Sequence, residues 1–223
     1  MLLQIPGILN KEQVESVMRE LGQGAYEDGR ISAGLIARDV KNNLQVKRDA
    51  EAAKRCAPLI LEALRHNTAF YSVALPHRIH GPIFNRYDIG MTYGSHVDNA
   101  IMGGEQIPVR SDVSATLFLS PPDTYEGGEL ILQEHQSERR IKLAAGSMVV
   151  YSSTNVHRVE PVKRGSRIAA VFWIQSLVRE ESKREILHDL NEILSGLRDK
   201  LSGNEQMALA SIYSNLMRQW AET

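Results

Sequence analysis

The hydrophobic pattern of this chain changes its period twice, and that change constrains the fold more than any other feature. Within residues 111–120 the side chains alternate, which is the two-residue period of a β-strand with two different faces. One predicted face is apolar and the other is mostly polar: Val113, Ala115, Leu117 and Leu119, against Asp112, Ser114, Thr116 and Phe118. Helical spacing precedes and follows this region. The sequence therefore predicts a β core with helices before and after it in the chain.

Two helices are predicted ahead of the core. Asn10 is typical of an N-cap, and an apolar stripe at helical spacing follows it as far as Gly22. A second helix is expected to open at Asp49. Pro58 should kink that helix or split it in two, because proline cannot donate a backbone hydrogen bond. Residues 25–46 are polar and predict a loop or an irregular strand.

The predicted core consists of short apolar runs separated by turn residues, beginning at about Phe70. The turns at Gly127-Gly128 and at Gly146 each lead into an apolar run, and a further run begins at Arg167. Short strands with no helices between them are typical of an antiparallel sandwich or barrel. We divide the chain into an N-terminal segment that packs on the core, the core itself and a helical extension, at residues 1–76, 77–178 and 179–223.

The helical period returns after the core in two stretches, which predict a helical hairpin. Their apolar stripes are Ile186, Leu190, Ile193, Leu197 and Leu201 in the first, and Ile212, Leu216 and Trp220 in the second. We expect the hairpin to pack on its own chain. A homodimer through these helices is the alternative.

The charge balance and the cysteine content limit the partners and the location. Lys and Arg number 26 and Asp and Glu 27, with no long run of like charge, which argues against nucleic acid or a membrane surface as a partner. No stretch approaches the roughly 20 apolar residues of a membrane span, and the first residues do not resemble a signal peptide. The single cysteine, Cys56, excludes an intramolecular disulfide and is interpreted as a buried hydrophobe. We expect a cytoplasmic protein.

Two histidines and an aspartate form a candidate metal site. His96 and Asp98 are two residues apart, so on a strand their side chains would share one face. His157 follows in a second predicted β region. Two imidazoles and one carboxylate can hold ferrous iron on one side and leave three positions open for a co-substrate and dioxygen. The pair alone is a weak signal, since a surface histidine and a turn aspartate would give the same spacing.

Arg167 indicates what the co-substrate is. It opens an otherwise apolar strand, where an unpaired guanidinium is costly to bury, and the planar guanidinium matches a dicarboxylate ligand. Strand parity places Trp173 on the same face as Arg167, toward the pocket. The alternative is that Arg167 caps the end of the strand in solvent and pairs with a carboxylate of the protein.

The block from Tyr87 to Asp98 resembles the Tyr-x-x-Gly…Tyr-x-x-His-x-Asp pattern of prolyl-4-hydroxylase-like enzymes, and most closely that of the bacterial PKHD-type hydroxylases. The resemblance covers residues 77–178, and the flanking helical parts also look like that subgroup. Later elements match as well: Gly127-Gly128-Glu129-Leu130, Ala145-Gly146-Ser147, His157 and Arg167.

The resemblance implies an α+β chain with a double-stranded β-helix (jelly-roll) core, and an iron(II)- and 2-oxoglutarate-dependent dioxygenase. By position, the iron ligands would be His96, Asp98 and His157, and Arg167 would bind the distal carboxylate of 2-oxoglutarate. Tyr87 best matches the tyrosine that the family has near the co-substrate. Tyr93 and Trp173 would line the same cavity, with ordinary packing as the alternative for each aromatic residue. L-Ascorbate is implied as a reductant of oxidised iron.

The sequence leaves the substrate and two other functions open. Besides dioxygen, the enzyme would take a small molecule or a peptide. A non-catalytic metal-binding jelly roll, acting as a sensor or an interaction module, would keep the three ligands but would not need Arg167. A zinc site with the same ligands is a further alternative.

Residues 99–111, which include Gly103-Gly104, are either a lid over the substrate entrance or a plain surface loop.

Overall fold

The computed structural model describes residues 1–103, 107–134 and 137–223, so residues 104–106 of the candidate lid or surface loop lie outside the described part. The helices are α1 Lys11–Gly22, α2 Leu35–Asp39, α3 Glu51–Arg65, α4 Thr68–Ala74, α5 Glu181–Leu197 and α6 Gly203–Trp220. The strands are β1 Leu2–Ile5, β2 Tyr26–Asp28, β3 Lys41–Asn42, β4 Leu44–Val46, β5 Pro76–Tyr87, β6 Thr92–His96, β7 Ile101–Met102, β8 Val109–Arg110, β9 Val113–Phe118, β10 Glu126–Gly127, β11 Leu130–Glu134, β12 Ser137–Ile141, β13 Met148–Ser152, β14 His157–Val159, β15 Val162–Arg164 and β16 Arg167–Ser176.

Two antiparallel sheets form the core. The larger has the strand order β1-β13-β9-β16-β5-β4-β2 and the smaller β12-β11-β14-β6-β3, and two short ribbons pair β10 with β15 and β7 with β8. One buried cluster draws residues from both sheets: Tyr87, Phe118, Leu130, Leu132, Val149, Tyr151 and Val159. The α+β class and the antiparallel core are confirmed.

The alternation in β9 is confirmed and separates two environments. Val113, Ala115 and Leu117 belong to the main apolar cluster, which also includes residues of α1, α3 and α4. Ser114 and Thr116 line a cavity on the opposite face. The larger sheet therefore carries the helices on one face and the candidate site on the other.

The N-terminal segment is more ordered than the sequence predicts. Residues 25–46 contain three short strands, one turn of 3-10 helix and α2, instead of a loop or a single irregular strand. Through β2, β3 and β4 this segment joins the edges of both sheets. Elements of two to five residues are too short to show a hydrophobic period, so the pattern could not reveal them. The boundary at residue 76 stays a prediction.

Two further predictions for this segment need correction. Helix α3 continues through Pro58, so the predicted split is wrong, while a kink at Pro58 stays a prediction. Its buried stripe, which includes Cys56, packs into the main cluster and compensates for the hydrogen bond that proline cannot donate. Helical structure also extends to Ala74, so Phe70, where the strand period was expected to begin, lies in a helix.

Helix α1 and the single cysteine follow the predictions. Asn10 caps α1 through a reciprocal pair of hydrogen bonds with Gln13. Burial raises the pKa of the Cys56 thiol to about 11, which agrees with its interpretation as a buried hydrophobe.

The C-terminal helices pack on their own chain. Helix α6 does so partly through its predicted stripe, by Leu216 and Trp220, whereas α5 does not use its predicted stripe. In α5 the buried residues are Arg184 and Leu187, while Ile186 and Ile193 are about half exposed, at 50% and 51%. Leu187 packs with Leu75 of the segment before the core. The homodimer through these helices stays a prediction. None of the helices in the described part of the chain is long and apolar enough to cross a membrane.

Candidate functional site

The two predicted histidines and the aspartate meet on the smaller sheet. β6 pairs with β14 so that His96 lies opposite His157. Potential ligand atoms of these two residues and Asp98 all lie within 4.8 Å of one another. Asp98 is not on the strand, as its spacing suggested, because β6 ends at His96. It reaches the site from the segment that follows, and its Oδ2 lies 3.8 Å from His157 Nε2.

Backbone carbonyls orient both imidazoles. Nδ1 of His96 lies 2.8 Å from the carbonyl oxygen of Gly94, and Nδ1 of His157 lies 3.0 Å from that of Asn155. These contacts assign the proton of each ring to Nδ1 and leave Nε2 as a metal-binding lone pair. Burial, and secondarily the neighbouring His157, lowers the pKa of His96. A neutral imidazole is the form that binds a metal ion.

A serine on the larger sheet holds the carboxylate of Asp98. Ser114 donates a hydrogen bond from Oγ to Asp98 Oδ2 at 2.6 Å, and its Oγ also lies 2.7 Å from Oγ of Ser153. Because Ser114 is on β9, this bond fixes a residue of the irregular segment after β6 to a rigid strand.

Two tyrosine rings lie beside the imidazoles. The ring of Tyr93 stacks on that of His96, with centroids 3.6 Å apart and planes at 16°. The ring of Tyr151 approaches His157 at 5.2 Å with planes at 66°. Such contacts limit rotation of the imidazoles and keep apolar surface next to the site.

Arg167 is a buried cation without a counter-ion in the described part of the chain. It is the first residue of β16, lies opposite Tyr87 of β5 and is 2% exposed. Its Cζ lies 5.3 Å from the centroids of both the Tyr87 and the Phe118 ring. Among the described residues no carboxylate lies within 4.0 Å of the guanidinium, and Nε has no hydrogen-bond partner. A strand-end arginine paired in solvent, the alternative interpretation, does not describe this side chain.

The Gly127-Gly128 turn makes room for Arg167. Gly128 has φ +66°, and a Cβ there would lie 3.2 Å from Cδ of Arg167. A Cβ on Gly127 would lie 2.1 Å from the carbonyl oxygen of Pro161. Side chains at these two positions would therefore strain the turn and crowd the arginine.

One cavity is lined by all seven residues that the sequence analysis selected: Tyr87, Tyr93, His96, Asp98, His157, Arg167 and Trp173. The same cavity is also lined by four residues that were not predicted to belong to the site: Lys41, Ser114, Thr116 and Tyr151. Ser114 and Thr116 could have been found, because they are the polar residues on one face of a predicted strand. Lys41 has no comparable signal, since it lies on a strand of two residues.

Family comparisons agree with this arrangement. Residues 82–175 match the 2OG-Fe(II) oxygenase superfamily, and residues 181–222 match the PKHD-type hydroxylase C-terminal domain. The jelly-roll class is supported by solved structures. A prolyl-4-hydroxylase of Pseudomonas putida superposes with a TM-score of 0.51 at 19% identity, covering 78% of this chain and 92% of that one. HygX of Streptomyces hygroscopicus gives 0.55 at 16% identity, covering 78% and 82%.

Full-length relatives are much closer in sequence. A PKHD-type hydroxylase of Methylobacterium nodulans is 44% identical over 226 residues, and the alignment covers 100% of both chains. One of Saccharophagus degradans is also 44% identical with the same coverage. Together with the His-x-Asp…His cluster, these matches make this chain a PKHD-type hydroxylase, an enzyme of the 2OG-Fe(II) oxygenase superfamily.

Proposed function

We propose that His96, Asp98 and His157 hold iron(II) and that Arg167 anchors 2-oxoglutarate. The enzyme would hydroxylate a C–H bond of a small-molecule or peptide substrate with dioxygen and convert 2-oxoglutarate to succinate and carbon dioxide. One observation carries this proposal beyond family membership. A buried guanidinium, for which the described residues provide no counter-ion, shares a cavity with three convergent metal-ligand groups.

The residues present fit both groups. Two imidazole nitrogens and one carboxylate are the donor set of non-haem iron(II) oxygenases, and they leave positions open for other ligands. Arg167 supplies a fork of N–H donors suited to a carboxylate. The rings of Tyr87 and Phe118 at 5.3 Å make its surroundings apolar, which strengthens a charge-assisted hydrogen bond.

In this mechanism the chain positions the reactants and excludes water. When bound, the iron would supply the activation of dioxygen and the oxidation of the substrate. Arg167 would orient the co-substrate by its distal carboxylate. The carbonyls of Gly94 and Asn155 would keep Nε2 of the two imidazoles available to the metal, and Ser114 would hold Asp98 in place as the third ligand.

The test is succinate formation by the iron-loaded protein in the presence of 2-oxoglutarate and dioxygen. We expect succinate only when iron(II), 2-oxoglutarate and dioxygen are all present, and none when zinc replaces iron. L-Ascorbate should increase the total number of turnovers more than the initial rate, because we propose that it reduces oxidised iron. Metal binding without succinate formation would favour the non-catalytic sensor, and hydrolytic activity with zinc would favour the zinc enzyme.

Ser114→Ala should weaken iron binding without removing a ligand. The variant loses the hydrogen bond that holds Asp98 Oδ2, and changes of this kind typically cost about 10- to 100-fold in metal affinity or activity. Anaerobic titration with iron(II) measures the affinity. Ser120→Ala is the matched control, because Ser120 is buried but bonds to the backbone of residues 166 and 168. Equal iron affinities of the Ser114 variant and the unmodified protein would contradict this role.

A further inference from the structure

Lys41 is a second buried cation in the cavity of the candidate metal site. It lies on β3 opposite Tyr93 of β6, and it is 6% exposed. Its Nζ lies 4.9 Å from the centroid of the Tyr93 ring, and that ring stacks on His96. The ammonium group is therefore separated from a candidate iron ligand by a single aromatic ring.

The ammonium group of Lys41 has capacity for a ligand. Among the residues that the structure describes, it donates one hydrogen bond, to Oγ of Ser32 at 2.9 Å, although an ammonium group has three donors. No carboxylate of the described residues lies within 4.0 Å of Nζ. Burial lowers the pKa of Lys41 to about 8, against the opposing effect of the negative charges of Asp98 and Asp28. A buried charge without a close counter-ion is costly for folding and is common at functional sites.

Lys41 and Arg167 line the same cavity from different sheets. Arg167 is on the larger sheet between buried aromatic rings. Lys41 is on the smaller sheet and donates a hydrogen bond to Ser32, which precedes α2. The strands that carry the two cations have no neighbouring strand in common, so each cation is available to a separate anionic group.

The proposed function leaves Lys41 without a role in holding the co-substrate. 2-Oxoglutarate has two carboxylates, of which one would chelate iron with the neighbouring keto group and the other would bind Arg167. We propose that Lys41 binds a carboxylate of the primary substrate, so that this enzyme acts on carboxylic acids. This inference rests on the proposed function, because it takes the cavity as the place of hydroxylation. The carboxylate can belong to a small free acid or to an acidic residue of a peptide.

Matched acids and amides test this role directly. Isobutyrate and benzoate are suitable probes, with isobutyramide and benzamide as neutral counterparts, because apolar side chains such as Ala37, Ile83 and Met102 also line the cavity. Calorimetry on the anaerobic protein loaded with iron(II) and 2-oxoglutarate should show the acids binding at least about tenfold more tightly than the amides. That preference should disappear in Lys41→Met, which keeps the length of the side chain but removes the charge.

Lys142→Met is the control variant. Nζ of Lys142 also lies over a tyrosine ring, 4.0 Å from the centroid of Tyr125, and donates one hydrogen bond, to the carbonyl oxygen of Tyr125. It is not among the residues that line the cavity. This variant should keep the preference for acids and the rate of succinate formation.

A blocked glutamyl tripeptide and its glutaminyl counterpart distinguish the two sources of the carboxylate. If the glutamyl peptide binds more tightly than the free acids, the carboxylate belongs to a peptide substrate. If the free acids bind more tightly than the glutamyl peptide, it belongs to a small acid. The inference is overturned if no acid or acidic peptide binds more tightly than its neutral counterpart. It is also overturned if Lys41→Met keeps the preference.

Kinetics separate this inference from the proposed function. If Lys41→Met raises the KM for 2-oxoglutarate and replacement of Arg167 does not, then Lys41 anchors the co-substrate and the inference is wrong, while the reaction class stands. If the unmodified protein forms no succinate, the proposed function fails, and the calorimetry still shows whether Lys41 binds acids.

Discussion

Replacing Asp98 or His157 by alanine is expected to lower succinate formation by more than about 100-fold. Loss of a hydrogen-bond partner of a metal ligand typically costs about 10- to 100-fold, and loss of the ligand itself should cost more. Both variants should also bind iron(II) more weakly in anaerobic titrations. The two measurements together show whether activity is lost because the metal is lost.

Matched controls are available for both ligands. His66 is an exposed histidine that directly follows α3, and its side chain contacts Glu62 of that helix. Asp123 is exposed in a turn. His66→Ala and Asp123→Ala should keep the iron affinity and the rate of succinate formation. Unchanged turnover in either ligand variant would contradict the assignment of the metal site.

Replacing Arg167 by methionine is expected to change ligand binding and stability in opposite directions. Two hydrogen bonds to a charged carboxylate are lost, each worth about 1.5–3 kcal/mol, so the KM for 2-oxoglutarate should rise by about 100-fold or more. Without 2-oxoglutarate the variant should be at least as stable as the unmodified protein, because methionine removes a buried charge that has no counter-ion in the described part of the chain.

Thermal unfolding with and without 2-oxoglutarate measures both effects. A ligand that binds only the folded state raises the unfolding temperature, so 2-oxoglutarate should stabilise the iron-loaded unmodified protein and have little effect on Arg167→Met. Iron affinity should be unchanged in this variant. A variant that loses iron but keeps its affinity for 2-oxoglutarate would show that the role of Arg167 is misassigned.

The sequence predicted those parts of the fold in which apolar residues keep a helical or a two-residue spacing over many positions. The alternation in residues 111–120 gave both faces of β9 correctly, one toward the helices and one toward the cavity. Helix α4 was missed because it has only seven residues and is mostly buried, so its apolar residues fit either period. The buried side of α5 was also misassigned, because its stripe contains exposed residues such as Ile193 while Arg184 is buried.

The sequence was sufficient to predict many of the residues that form the candidate site, but not the strand pairing and hydrogen bonds that bring them together. The spacing of His96 and Asp98 suggested a shared face, whereas the structure brings Asp98 in from beyond the end of the strand and fixes it through Ser114. The pairing of β6 with β14, which brings His157 beside His96, is a contact over 61 residues (157 − 96) that no local pattern specifies. Lys41 reaches the cavity only because a two-residue strand pairs at the sheet edge.

Crystals grown without oxygen in the presence of iron(II) and 2-oxoglutarate would test the central claim most directly, by anomalous diffraction at the iron edge. We predict one iron within bonding distance of His96 Nε2, His157 Nε2 and a carboxylate oxygen of Asp98. 2-Oxoglutarate should extend from that iron, with its distal carboxylate hydrogen-bonded to the guanidinium of Arg167. Iron bound elsewhere, or 2-oxoglutarate with its distal carboxylate away from Arg167, would contradict the account.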